Sequence, residues 1–337
     1  MTRVPQTDRI LNSPKSGLEI GLNAAILSVH ENRPQIVVVR PKENAGQAWD
    51  SLPFGPFAPL AHQTLEIGLR SWVKEQTGLE LGYVEQLYTF GDRGRHAQQS
   101  DTGPHIVSVG YLALTRIQPE QSVSGGVWHG WYSYFPWEDR REGKPEILSN
   151  IIEPRLREWA KRDDPGGVAI RPFERQARLR ICFGMDDAGW DEEKVLERYE
   201  LLHEAGLVAE AIRDGRGSAI PWTGLPQLGT PMQFDHRRIL ATAMGRLRGK
   251  IKYRPVIFEL MPESFTLFEL QKTVEAISGS HLHKQNFRRL VEHAGLVEET
   301  GHMRTMTGGR PAKLFHFRPE VLQERPAPGV RVTVGRA

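Results

Sequence analysis

Thr64-Leu-Glu-Ile-Gly-Leu-Arg-Ser-Trp-Val-Lys-Glu-Gln-Thr-Gly78 is the stretch on which the reading of this chain turns. Leu65, Leu69, Trp72 and Val73 fall at i, i+4, i+7 and i+8, which puts one apolar stripe on a helix over 64–77. Taken alone, this is an ordinary amphipathic helix. Its surroundings read as strand. Residues 19–28 and 35–40 are short apolar runs, separated by Glu31-Asn32-Arg33-Pro34, which is turn chemistry. Residues 80–90, 105–115 and the aromatic 127–137 read as further strands, and 147–161 as a helix with Pro154 in its first turn. The Pro- and Gly-rich 53–59 is a loop leading into the helix. The polar 91–104 is a long loop of the kind that often carries function. Strands with a helix laid across them predict an α/β sandwich with a mixed sheet.

The 337 residues suggest two domains with room for an insertion. A composition of 39% hydrophobic and 25% charged residues builds ordinary cores. The single cysteine, Cys182, excludes an internal disulfide framework and fits a reducing, cytoplasmic setting. The first residues lack the apolar region of a signal peptide, and no run approaches the roughly 18 apolar residues of a membrane helix. Charge is uneven. Residues 232–337 hold 18 Lys and Arg against 10 Asp and Glu, whereas residues 1–231 hold 26 against 31. A basic C-terminal third on an acidic remainder points to a polyanionic partner. All eight tryptophans precede residue 223, which places a boundary near 225–232.

That third reads as a helix-turn-helix followed by a hairpin. Residues 235–249 open with Asp235 as N-cap, and Ile239, Leu240, Ala243 and Leu247 line one face. Thr266 with Glu269 makes a capping box, Phe265 with Leu270 a hydrophobic staple, and Gly279 a stop. In a third helix over 281–293, a stripe of Phe287, Leu290, Val291 and Ala294 turns Gln285 and Arg289 outward, flanked by Lys284, Asn286 and Arg288. Arg suits guanine and Asn or Gln suits adenine, each pair worth about 1–3 kcal/mol of discrimination in the major groove. Two strand-like runs around Thr307-Gly308-Gly309 form a wing with Arg304, Arg310 and Lys313 near its tip, placed for phosphate contacts. The alternative is a helical domain that docks another protein. His281, His283, His293 and His302 lack the ordered spacing of a metal site.

The 64–78 stretch resembles the Nudix box, the signature of hydrolases acting on nucleoside diphosphates linked to other groups. Registered on Gly78 and Leu79, Glu75 falls on a family glutamate. Phe57 stands for the first Gly, Gln63 for the first Glu, Ser71 for Arg, Trp72 for Glu and Gln76 for the last Glu. Mg²⁺ needs several hard oxygens, and Glu75 alone does not supply them. The runs Leu87-Tyr-Thr-Phe-Gly-Asp-Arg-Gly-Arg95 and His105-Ile-Val-Ser-Val-Gly-Tyr-Leu-Ala-Leu114, with the wing run Gly-Gly-Arg-Pro-Ala-Lys-Leu-Phe315, resemble the NrtR-like Nudix-related transcriptional regulators of NAD metabolism. The extra length over 163–230 resembles the longer NAD-biosynthesis repressor branch, NadQ.

The resemblance implies a Nudix-like ligand-sensing domain over 1–163, a linker and helical insert over 164–231, and a winged helix-turn-helix DNA-binding domain over 232–337. It implies a non-enzymatic repressor of NAD biosynthesis genes, a homodimer, a palindromic operator and an effector among NAD(H), ADP-ribose and ATP, with no cofactor required. Within the sensor, Arg93 and Arg95 are candidates for a pyrophosphate, Arg40 is a further one, and Phe54 or Phe57 would stack on a base. The competing reading is a working Nudix hydrolase recruiting metal through Glu66, Glu75 and loop carboxylates. A third is a protein-binding adaptor. In the insert, Asp163–Gly167 reads as a linker and Asp191–Glu204 as a helix capped by Asp191. Arg171, Arg175, Arg178 and Arg180 are a candidate phosphate patch, with surface charge as the alternative. Asp186 and Asp187 are candidate metal ligands, with a solvated turn as the alternative.

Overall fold

Strand β1 (Leu18–His30) organises the first half of the chain. Leu22 to Ser28 are buried without interruption, because the strand is covered on both faces and needs no alternation of apolar and polar residues. The computed structural model describes residues 17–40, 49–92, 104–116, 123–162, 172–216, 226–305, 311–324 and 329–330. β1 pairs antiparallel with β2 (Arg33–Val39) and β3 (Phe54–Pro56), and parallel with β5 (His105–Leu114). β4 (Tyr83–Phe90) and β6 (Gly126–Gly130) flank them, giving the order β4-β5-β1-β2-β6 with β3 also on β1. The sheet is mixed, as expected. Glu31 and Asn32 adopt φ of 49° and 60° and alone make the first turn, so Arg33 and Pro34 belong to β2 rather than to the turn.

The aromatic run 127–137 departs from expectation. The strand stops at Gly130, and Trp131–Ser133 form a 3-10 turn. Trp131, Tyr134, Phe135 and Trp137 are all buried, which a strand with one exposed face would not allow.

Helix α1 (Leu65–Thr77) lies on one face of the sheet, where Leu69 and Val73 meet Leu22, Ala24, Ile26, Val109 and Tyr111. The Thr64 hydroxyl accepts from the Ile67 N–H at 3.1 Å, and Gly78 closes the helix at φ 73°. The other face, carrying Ala25, Leu27, Ile36, Val38, Leu112 and Leu114, belongs to a larger core shared with the rest of the chain. That core takes in a π-helical turn (Leu148–Ile152) running into α2 (Glu153–Ala160), α3 (Pro172–Phe183), α4 (Val195–Glu204) and α5 (Ala209–Arg213). Pro154 sits in the first α-helical turn of α2. α4 starts later than expected: Asp191 accepts from the Glu193 N–H at 3.0 Å in a preceding turn instead of capping the helix. The expected linker 163–167 lies outside the described residues.

The last third contains α6 (His236–Tyr253), α7 (Leu267–Ser278), α8 (Lys284–Ala294), the hairpin β7 (Val297–Arg304) and β8 (Ala312–Phe317), and α9 (Val321–Glu324). Asp235 stands at the start of α6, but its carboxylate pairs with Arg238 at 3.2 Å and makes no cap. α6 packs across β1, β4 and β5. At Gly110 of β5, a Cβ would lie 3.0 Å from the Ile239 side chain, so helix and strand approach closely there.

Beneath the sheet, Glu138 holds two arginines, and all three side chains are fully buried. Arg198 of α4 is bidentate to it at 2.6 and 2.8 Å, and Arg248 of α6 reaches it at 2.7 Å. Arg248 also donates to the carbonyls of Ile277 in α7 and Glu192, and Arg198 to those of Cys182 and Asp191. Burial alone would raise the Glu138 pKa, but the two guanidiniums outweigh it and hold the carboxyl below its ordinary range. Glu138→Ala would leave two buried cations unpaired and is expected to cost about 3–5 kcal/mol in urea unfolding. Because the folded pKa is lowered, this contribution is present above the ordinary glutamate pKa of about 4.3 and is lost as pH falls through the folded value. An unchanged urea midpoint in the variant would refute this role.

Candidate nucleic-acid interface and effector cleft

The α7–α8 pair is built by local rules visible in the sequence. The Thr266 hydroxyl accepts from the Glu269 N–H at 3.1 Å and the Glu269 carboxylate from the Thr266 N–H at 2.8 Å, completing the expected capping box. Gly279 ends α7 at φ 70°. The turn into α8 is held by residues that no local pattern marks. Glu275, 2% exposed, accepts from the Leu282 N–H at 3.0 Å and from Gln271 at 2.8 Å, while Gln271 also donates to the Leu282 carbonyl at 2.9 Å. Both backbone groups of Leu282 are therefore clamped, and α8 leaves α7 in one direction. Lys272 and His281 satisfy the other carboxylate oxygen at 2.8 and 3.2 Å. These contacts hold the Glu275 carboxyl below its ordinary range against the opposing effect of burial.

On α8, Phe287 and Val291 are buried, and Leu290 and Ala294 are half-buried. Lys284, Gln285, Asn286, Arg288 and Arg289 are all exposed and have no side-chain hydrogen bond or ion pair among the described residues. The helix starts three residues later than expected, with His281 and Leu282 in the turn. The wing is fastened to the helices: Phe265 and Phe315 exchange backbone hydrogen bonds at 2.8 and 2.9 Å, and the Phe258 and Phe317 rings stack at 4.4 Å. Arg304 is turned back onto Glu269 and the Ser264 carbonyl, and Lys313 is paired with Glu299 at 2.7 Å across the hairpin. Both side chains have internal partners to exchange before they meet a phosphate. Arg310 and the wing tip lie outside the described residues.

In the first half of the chain, two positions where the 64–78 stretch departs from the Nudix pattern, Trp72 and Gln76, bond the backbone of β3. Trp72 donates its indole N–H to the Pro56 carbonyl at 2.9 Å. The Gln76 amide donates to the Phe54 carbonyl at 2.6 Å and accepts the Phe54 N–H at 3.2 Å. A Cβ on Gly55 would lie 2.3 Å from the Trp72 ring. The two side chains that replace carboxylates thus pin α1 to β3. Glu75 is exposed, and Glu66 pairs with Arg70 at 2.9 Å.

Arg40 lines a polar cleft of about 790 Å³ with Trp49, Asp50, His129, Ser133 and Gln227. Its Nε donates to Asp50 at 2.9 Å, yet the side chain is 57% exposed. Asp50 also accepts from the Tyr134 hydroxyl at 2.7 Å. Burial, then that hydrogen bond, pushes the Tyr134 pKa far upward, so it stays a neutral donor. The two phenylalanines do not line this cleft. Phe54 is committed to an aromatic cluster with Phe234 and His236 at 5.4 and 5.2 Å, and Phe57 lies 6.1 Å from His62. Arg93 and Arg95 lie outside the described residues. Sequence reasoning missed Trp49, Asp50, His129 and Gln227, which only folding brings together.

The insert's charges are also consumed internally. Arg175 is buried, bonds the Arg162 carbonyl at 2.8 Å and covers the Trp159 ring. Arg178 pairs with Glu204 at 2.8 Å, and Arg180 with Asp187 at 3.1 Å. Asp186 pairs with Arg157 at 3.0 Å. Arg175 is thus part of the core, and the exposed pairs of Arg180, Asp186 and Asp187 fit the surface-charge and solvated-turn alternatives; Arg171 is outside the described residues.

Residues 257–317 match the NrtR DNA-binding winged helix domain. A relative from Acinetobacter baylyi, an ADPR responsive transcriptional repressor, is 42% identical over 199 residues, covering 51% of this chain and 74% of the relative. The fold is similar to that of Shewanella oneidensis NrtR complexed with a 27mer DNA (TM-score 0.53, 21% identity, 90% of this chain and 95% of that one). It is also similar to a MutT/nudix family protein from Enterococcus faecalis (TM-score 0.51, 14% identity, 94% of each chain).

The α1–β3 staple makes a stability prediction. Gln76→Glu removes the donor to the Phe54 carbonyl and sets a carboxylate against it, at an expected cost of about 1–3 kcal/mol in urea unfolding. An unchanged midpoint would show that the amide is incidental.

Proposed function

Since the chain belongs to the NrtR family of Nudix-related transcriptional regulators, we propose that it represses NAD biosynthesis genes in the cytoplasm in response to an adenine nucleotide of the ADP-ribose class, as a homodimer on a palindromic operator. The observation that carries the DNA-binding reading is the exposed face of α8. Five side chains suited to base edges and phosphates project from a helix whose direction is set by the capping box and the Glu275 clamp. Lys284, Gln285, Asn286, Arg288 and Arg289 form the proposed major-groove face, with Arg304, Arg310 and Lys313 as phosphate contacts from the wing.

The proposed effector site is the Arg40 cleft. Its exposed guanidinium suits a diphosphate, and Trp49 offers a stacking surface. Arg93 and Arg95 stay proposed as further phosphate partners; Phe54 and Phe57 are better read as packing. The sensor is proposed to bind its nucleotide without hydrolysing it, because Trp72 and Gln76 spend their hydrogen bonds on β3 and neither is a carboxylate. The division at 163/164 and 231/232 is retained as a proposal, with α6 serving both the sheet and α7.

Fluorescence anisotropy against the chain's own upstream DNA and NAD biosynthesis promoters, with and without ADP-ribose, NAD or ATP, tests the regulator. Tight binding with a steep salt slope and a response to one nucleotide is expected, and its direction gives the sign of control. Arg289→Ala should weaken operator binding and relax base choice at one position, whereas Arg310→Ala should weaken all sequences evenly. Binding no tighter than to random DNA would sink the proposal. Separately, ADP-ribose with Mg²⁺ should show no turnover; turnover lost on Glu75→Gln would make the sensor an enzyme.

A further inference from the structure

A second cavity, of about 750 Å³, opens where the sheet meets the winged helix. It has the size of a small-molecule site and lies at a junction between structural units, where such sites concentrate. Tyr83 of β4 and Arg116 at the end of β5 wall it on one side. The stacked rings of Phe258 and Phe317 also line it, as does Leu322 of α9, which is 52% exposed. Most of this lining is apolar.

The polar groups around it are unequally committed: His316 also lines it and lies 3.9 Å from Glu298. Lys250 is already paired with Glu85 at 2.5 Å. Arg116 reaches only the Phe258 carbonyl, at 3.4 Å. Arg254 is exposed and has no side-chain partner among the described residues. Glu259 and Glu263 line the same cavity with the opposite sign, and both are exposed. Two uncommitted guanidiniums against two carboxylates disfavour a diphosphate. They suit a flat apolar body with one acid group that reaches the arginines while its ring covers the Phe258–Phe317 surface.

We infer that this junction cavity binds a small amphipathic monoanion, an aromatic carboxylate in chemical class, at a site separate from the Arg40 cleft. Such a ligand touches the sheet through Tyr83 and Arg116 and the wing strand through Phe317, so it would bias how the two are set against each other.

Isothermal titration calorimetry of the full chain with 2-naphthoate, its neutral carboxamide and ADP-ribose tests the site. Naphthoate should bind about fivefold or more tighter than the amide, and Arg254→Glu should remove that difference while leaving amide affinity within about twofold. Leu322→Trp, an exposed position where a larger ring narrows the cavity mouth, should weaken both probes, and saturating ADP-ribose should displace neither. No binding of either probe, or naphthoate affinity unchanged in both variants, overturns the assignment; so does competition by ADP-ribose, which would place the probes in the nucleotide cleft. Failure of DNA binding in the preceding experiments leaves this readout intact, because it measures the ligand directly.

Discussion

The fold depends on one carboxylate held by two guanidiniums, all three shielded from solvent. Glu138 follows the aromatic turn beneath the sheet, Arg198 comes from the insert, and Arg248 comes from the helix leading into the winged helix. A buried charge costs several kcal/mol unless its partners are present with good geometry. None of the three segments can therefore adopt its native position without the other two. A second fully buried pair repeats the device: Glu210 of the insert holds Arg237 of α6 at 3.1 Å and accepts the Met232 N–H, while Arg237 reaches the Tyr134 carbonyl. Arg198 and Glu210, both between residues 164 and 231, thus tie the segment after β6 to α6.

α6 is where sensor and reader meet. At its start, His236 accepts the Leu52 N–H at 3.0 Å and bonds Asn23 of β1 at 2.9 Å. Further along, Arg248 bonds the carbonyl of Ile277, near the end of α7. Hydrogen bonds therefore join Leu52 to the start of α6, and α6 to the end of α7.

Helix α1 is tied to β3 by two of its own side chains. A metal site requires carboxylates held apart from backbone carbonyls and open to water and substrate. Here an indole and an amide turn toward β3 and satisfy its backbone groups, and Gly55 makes room for the ring. The same helix presents Leu69 and Val73 to the sheet, so one face builds the sandwich while the other holds β3.

Where the physics is local, the sequence alone determined the outcome. The stripe on 64–77, the capping box at Thr266 and Glu269, the glycine stop at 279 and the amphipathic face of α8 each follow from periods and spacings within a few residues, and the structure contains them. Other boundaries shifted for nonlocal reasons. The 127–137 run left the sheet because its aromatic rings were needed in the core below. Asp191 and Asp235 bonded neighbours other than the helix N–H groups they were expected to cap. Only tertiary structure could show that Arg304, Lys313 and three insert arginines are already paired, or that Arg40, Trp49, His129 and Gln227 share one cleft. A side chain's charge is written in the sequence, but its partner is chosen by how distant segments pack.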